Sequence, residues 1–287
     1  MKALILSLSV LLTACGGQPA SAKPLNICMQ PTDRIVAMAN CDAILWPTPE
    51  LDPAKSAAMQ AAQGPAVIGW IAGDMAPDKV TTQGAITKSV VARAPALIAE
   101  MAKYPNIGWI FAQDEIGWCD TKTCLYDYMP QLAYIAKLTH AVGKKVLVSI
   151  PPGVLTQYPD TFASGINEID AIAFDIYPSI PFPADFGGCT FNANPYSTAL
   201  KCSVERVRRM GYTGAIVYAA QCFKMRADDD TWLRAQLTLQ QETLRNATAL
   251  GADAVLMFGC NSDAYLERFE PNLVPLNGTQ YQVLVTP

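Results

Sequence analysis

Apolar runs of strand length recur along the chain, separated by longer stretches in which apolar residues repeat at helical spacing. The clearest runs are Ala66–Ala72, Ile107–Gln113, Lys145–Ile150, Ala171–Tyr177, Gly214–Ala220 and Ala254–Gly259, and Leu25–Met29 and Ile35–Asn40 bring the number to eight. Helical patterns fill Pro53–Gln63, Gly84–Lys103, Tyr126–Val142, Pro195–Met210 and Asp228–Leu250. Three of them run into Gly143, Gly211 and Gly251 just before the next strand. Glycine takes the left-handed conformation that ends a helix without steric penalty, so this rhythm marks helix-to-strand turns. Strands alternating with helices predict a parallel sheet with helices outside it. Eight such units predict a (β/α)₈ TIM barrel, a single domain over residues 25–287. An open doubly wound sheet binding a dinucleotide or phosphate would need a glycine-rich first loop, and neither G-x-G-x-x-G nor G-x-x-x-x-G-K occurs. Pro271–Pro287 reads as a terminal extension that pairs or packs locally.

The length of 287 residues agrees with one barrel. With 51% apolar and 16% charged residues, the chain has material for a large core and too little charge for disorder. Its net charge of −4, with no basic cluster beyond Arg206, Arg208 and Arg209, gives no footprint for nucleic acid.

Met1–Lys2 followed by the apolar run Ala3–Leu12 has the layout of a secretory signal and is too short to span a bilayer. Leu12-Thr13-Ala14-Cys15 resembles a bacterial lipoprotein box, in which the cysteine becomes the lipidated first residue. That resemblance implies a signal peptide over residues 1–14, lipidation at Cys15 and a flexible tether over 15–24. It also implies export and lipid anchoring to the cell envelope, on the periplasmic face or the outer membrane. The eight remaining cysteines suit a secreted, disulfide-stabilised domain. Proximity suggests Cys28–Cys41, Cys119–Cys124 and Cys189–Cys202, leaving Cys222–Cys260 to join two neighbouring strand ends. A zinc site is not indicated, because there is no C-x-x-C pair and His140, in a helix, is the only histidine. No cofactor is expected.

Candidate chemistry lies at strand ends. Ile107–Trp118 reads I-G-W-I-F-A-Q-D-E-I-G-W, and Ala171–Pro178 reads A-I-A-F-D-I-Y-P. In a parallel barrel the C-terminal strand ends converge on one face, so Asp114, Glu115 and Asp175 can meet over one pocket. Along Ala171–Tyr177, Ile172, Phe174 and Ile176 alternate with Ala171, Ala173 and Asp175. That pattern turns Asp175 and Tyr177 toward the barrel interior or its mouth. Along Ile107–Glu115 the alternation is less clean and does not choose between Asp114 and Glu115.

These strand ends resemble the barrel glycoside hydrolases of clan A. There the fourth strand ends in a polar residue followed by a glutamate that acts as general acid/base, matching Asp114-Glu115. The resemblance extends to Asp175-Ile176-Tyr177-Pro178 at the sixth strand end and to Phe258 and Asn261 after the eighth. It implies a (β/α)₈ fold and hydrolysis of a poly- or oligosaccharide. The family's nucleophilic glutamate at the seventh strand end falls near Gln221, where this chain has no acid. The second carboxylate must then come from elsewhere, with Asp175 first and Asp74 second. Glu115 would be the proton donor and Asp175 an ionised base or stabiliser, with Asp114 orienting Glu115 or binding a hydroxyl. Tyr177, Trp118, Gln221, Asp74, Trp70 and Asn261 would shape the substrate site, and Trp232, in a helix, would pack.

Other readings compete. A strand-end carboxylate also serves as a helix cap or ion-pair partner, and a barrel that has lost its nucleophile can remain a non-catalytic carbohydrate-binding protein. An envelope lipoprotein that only binds partners would show no pocket lined by these acids. A nucleophilic serine hydrolase is poorly supported, since no G-x-S-x-G elbow exists and Ser149 lacks glycine flanks. An oxygen cage for Mg²⁺ or Ca²⁺ built from Asp74, Asp114, Glu115 and Asp175 finds no support in their spacing. The sequence leaves the oligomeric state open.

Overall fold

Small and bulky residues alternate along Ala171–Ile176, and both sets are buried because this strand has a core on each side. Ile172, Phe174 and Ile176 join the larger apolar cluster between strands and helices, whereas Ala171, Ala173 and Tyr177 join a second cluster inside the sheet. Two cores of this kind are what a closed parallel barrel requires. The computed structural model describes residues 25–29, 43–46, 66–70, 88–105, 107–113, 122–157, 159–163, 165–178, 189–191, 193–225, 230–258 and 273–275.

The strands are β1 (Leu25–Met29), β2 (Ala43–Trp46), β3 (Ala66–Trp70), β4 (Ile107–Gln113), β5 (Lys145–Ile150), β6 (Ala171–Ile176), β7 (Ala215–Gln221), β8 (Phe223–Met225), β9 (Ala254–Phe258) and β10 (Leu273–Pro275). Eight of them close into a barrel in the order β1-β2-β3-β4-β5-β6-β7-β9, every neighbouring pair parallel. The helices are α1 (Lys88–Ala102), α2 (Lys122–Ala141), α3 (Pro152–Gln157), α4 (Pro159–Ala163), α5 (Pro195–Arg209) and α6 (Asp230–Arg245), with a 3₁₀ turn at Ile166–Glu168. The expected (β/α)₈ architecture is therefore present, and among the described residues no helix is long and apolar enough to cross a membrane.

Three differences from the sequence reading are informative. The strand between β1 and β3 is Ala43–Trp46; Ile35–Asn40, which reads as equally apolar, lies outside the described residues. The connection from β5 to β6 holds α3 and α4, each opening on a proline. Proline suits the first helical position because its missing N–H would have no partner there. Trp232 does not pack fully in α6: it is 43% exposed, because the inward row of that helix is Leu233, Leu237 and Gln240. The predicted helix Pro53–Gln63 falls outside the described residues.

The helix-ending glycines behave as expected, with φ of 73° at Gly143, 87° at Gly211 and 95° at Gly251. At the N-terminal ends of the strands, Asp170 and Asp253 accept hydrogen bonds from Val146 N and Ile216 N, each at 2.8 Å. His140 lies at this end, its Nε2 2.8 Å from Asp170 Oδ2 and remote from the C-terminal strand ends. Within the C-terminal extension, β10 pairs antiparallel with β8, which directly follows the end of β7.

The interior is packed by complementary sizes. Trp109 and Phe111 of β4 fill it from one side, and Ala171, Ala173, Ala219 and Ala254 make room on β6, β7 and β9. Alternating large and small residues lets a narrow barrel fill without voids.

Candidate functional site

Asp175 closes the inward-facing series of β6 and is 7% exposed, the only charged side chain among the buried described residues. A buried carboxylate is costly unless its oxygens receive hydrogen bonds. Two hydroxyls meet that need. Ser149, inward on β5 and 1% exposed, donates from Oγ to Asp175 Oδ2, and Tyr177 donates from its hydroxyl to Asp175 Oδ1 at 3.0 Å. The register explains the approach. Ser149 pairs with Ala173, so it reaches Asp175 diagonally from one step deeper in the barrel, while Tyr177 lies one inward position nearer the mouth.

Above this carboxylate lies an aromatic group. The Tyr177 ring meets Phe223 edge-on at 5.4 Å and stacks with Phe258 at 6.0 Å, and Phe223 meets Phe258 edge-on at 6.2 Å. The three rings come from the C-terminal ends of β6 and β9 and from β8, which brings β7 into the same place. All three are buried, so their apolar faces form a wall around the clamped acid.

Gln221 ends β7 in register with Phe258. It is fully buried, and its Nε2 donates to Phe223 O at 2.8 Å. Its backbone is held from outside the barrel by Gln240 of α6, whose amide accepts from Gln221 N at 3.0 Å and donates to Gln221 O at 2.7 Å. Next to it, Cys222 N donates to Phe258 O at 2.8 Å. Cys222 is disulfide-bonded, and its expected partner Cys260 lies outside the described residues. The expected Cys189–Cys202 bridge is formed, with its Cα atoms 6.3 Å apart.

The structure thus brings together Asp175, Tyr177 and Gln221 of the expected residues, with Phe258 beside them. Trp70 ends β3 and Cys28 lies in β1, but their side chains fall outside the described set. The same holds for Cys124 in α2. Asp74, Asp114, Glu115, Trp118, Asn261, Cys15, Cys41 and Cys119 lie wholly outside the described residues. One feature of β4 bears on Asp114 and Glu115: its pairing with β5 shifts between Phe111 and Gln113, so that Gln113 stands opposite Val148. Such an irregularity interrupts the inward–outward alternation within β4 itself. Among the described residues, no group of three His, Cys, Asp or Glu side chains could hold a metal ion.

Three contributors escaped the sequence reading. Ser149 had been weighed only as a nucleophile, although its inward position on β5 was legible from alternation. Phe223 lies beyond the run Gly214–Ala220, where alternation no longer orients a side chain. Gln240 carried a readable signal: it falls at a position of the Leu233, Leu237, Leu244 stripe where another apolar residue would be expected.

No family model and no curated protein sequence matches the chain. Solved structures do. A glycosylated endo-β-1,4-xylanase of glycoside hydrolase family 10 from Gloeophyllum trabeum superposes with a TM-score of 0.55 at 13% identity, over 92% of this chain and 95% of the xylanase. An intracellular xylanase from Thermoanaerobacterium saccharolyticum gives a TM-score of 0.56 at 14% identity, over 91% and 95%. The catalytic domain of a family 18 chitinase from the fern Peteris ryukyuensis gives 0.52 at 14%, over 92% and 100%. At these identities the likeness is one of fold, and that fold is a (β/α)₈ barrel.

Proposed function

We propose that this protein hydrolyses a glycosidic bond in a poly- or oligosaccharide, with Glu115 as general acid/base and Asp175 as the second carboxylate. The observation that carries this reading is the Asp175 carboxylate, held by two hydroxyls beside aromatic rings at the end of the barrel where such folds build their sites. The irregularity in β4 just before Asp114-Glu115 supports it, because bulges beside active sites re-aim side chains. In this scheme Glu115 protonates the leaving oxygen, Asp175 stabilises the oxocarbenium-like transition state or activates water, and Asp114 orients Glu115. Tyr177, Trp118, Trp70, Asp74, Gln221 and Asn261 shape the sugar site. Xylanases and chitinases among the structural neighbours favour a carbohydrate substrate. Export and lipid anchoring at Cys15 would place the activity at the cell envelope. The test is turnover of a panel of polysaccharides and oligosaccharides. Glu115→Gln and Asp175→Asn should each abolish it, and a bell-shaped pH–rate profile should accompany the wild-type activity.

A second reading, a surface carbohydrate-binding protein on a degenerate barrel, is favoured by Gln221. It stands where the family's nucleophile falls, and its amide nitrogen is engaged with Phe223 O. Saccharide binding without turnover in the same panel would establish it.

A further inference from the structure

We infer that Ser149 is a positioning residue that fixes Asp175 as the charged member of the proposed carboxylate pair. This rests on the hydrolase reading and goes beyond it by dividing the labour between the two acids. A hydroxyl has one proton to give. Ser149 gives its proton to Asp175 Oδ2 and Tyr177 gives its own to Oδ1, so both carboxylate oxygens are used as acceptors. Hydrogen bonds donated to a carboxylate stabilise its ionised form over its protonated one. An acid held in that way serves as a base or an electrostatic stabiliser, and the proton donor must be the other member of the pair.

Geometry separates the roles of the two hydroxyls. Tyr177 lies toward the mouth, its ring within the aromatic group, so removing its hydroxyl also disturbs the wall around the site. Ser149 approaches from the barrel interior, is 1% exposed and comes from a different strand. It is therefore placed to act on substrate through Asp175. Among the described residues, Asp175 is met by Ser149 on β5 and Tyr177 beyond β6, and it pairs in register with Ala219 on β7. Tyr177 is the titratable one of these. Glu115 and Asp114 follow β4 and lie outside the described residues.

The experiment compares Ser149→Ala and Ser149→Thr with the wild type by two readouts: the pH–rate profile on whichever saccharide is hydrolysed, and the titration of ¹³C-labelled Asp175 by NMR, assigned with Asp175→Asn. Ser149→Ala should lower kcat about tenfold with little change in KM, consistent with loss of one charge-assisted hydrogen bond. It should also move the acid limb and the Asp175 titration together toward higher pH. Ser149→Thr, which keeps the hydroxyl, should restore much of both. An unchanged Asp175 titration in Ser149→Ala overturns the inference while leaving hydrolysis intact. A shifted titration in a protein that turns over no saccharide keeps Ser149 as the group that charges Asp175 and rejects the hydrolase reading instead.

Discussion

Gln240 completes the hydrogen bonding of Gln221 as a neighbouring strand would: its side-chain oxygen accepts from Gln221 N at 3.0 Å and its nitrogen donates to Gln221 O at 2.7 Å. The end of β7 is thereby fastened to α6 through a side chain. Gln240→Leu would remove both bonds from this buried N–H and C=O, at about 1–3 kcal/mol each. We expect Gln240→Leu to lose about 2–4 kcal/mol in urea unfolding, and Gln240→Glu, which buries a carboxylate against Gln221 O, to lose at least as much at neutral pH. A loss of less than about 1 kcal/mol in Gln240→Leu would contradict this fastening.

The barrel was legible in the sequence because apolar period and helix-ending glycines agree at three helix-to-strand turns, as at Gly211 before Ala215–Gln221. The second strand was misplaced because Ile35–Asn40 and Ala43–Trp46 are both short apolar runs, and only pairing with β1 and β3 distinguishes them. At the site, Asp175 and Tyr177 could be read from clean alternation along β6. Ser149 as their partner could not, because which strand neighbours which, and at what stagger, is decided by barrel closure. Between Asp114 and Glu115 the pattern makes no choice, because Trp109 and Phe111 share a parity with Gln113 and Glu115 while Gly108 and Ala112 share one with Asp114, and both acids lie outside the described residues.

Tyr218 sits on the outer face of β7, fully buried, with a hydroxyl that has no hydrogen-bond partner among the described residues. Its removal therefore forfeits no bond and relieves the desolvation of a polar atom. Tyr218→Phe should leave stability unchanged or raise it by about 1 kcal/mol, read as a higher urea midpoint at constant slope. A loss of more than about 1 kcal/mol would show that the hydroxyl finds a partner in solution, such as a bound water.

Alkaline conditions should act through the same layer. Burial pushes the Tyr196 phenol up from 10.0 to about 12, and burial also raises Tyr212 and Tyr218. Between pH 10 and 12 the unfolded chain releases a tyrosine proton that the folded chain keeps. Stability is therefore full below pH 10 and falls as the pH rises toward 12, by about 1.4 kcal/mol per pH unit for each tyrosine so held. Urea unfolding measured from pH 9 upward should show this decline, and Tyr196→Phe should make it shallower. A pH-independent midpoint across that range would contradict the assignment.

The three helix-ending glycines share a backbone conformation but differ in their surroundings, which separates strain from crowding. At Gly143 and Gly211, with φ of 73° and 87°, an added Cβ would meet nothing within 4 Å, so alanine there costs only the left-handed backbone, about 1–2 kcal/mol. At Gly251, with φ of 95°, the same Cβ would lie 2.8 Å from Val204 Cγ1 on α5. Gly251→Ala should then cost about 1–3 kcal/mol more than the other two, the usual range for an overpacked contact. Val204→Ala removes the obstructing methyl, since the Val204 Cβ would be 3.7 Å away, an ordinary contact. In a double-mutant cycle, Gly251→Ala on the Val204→Ala background should fall back to the cost seen at Gly143 and Gly211. If the penalty persists in that background, the turn from α6 into β9 depends on the backbone angle alone and not on how closely α5 packs against it.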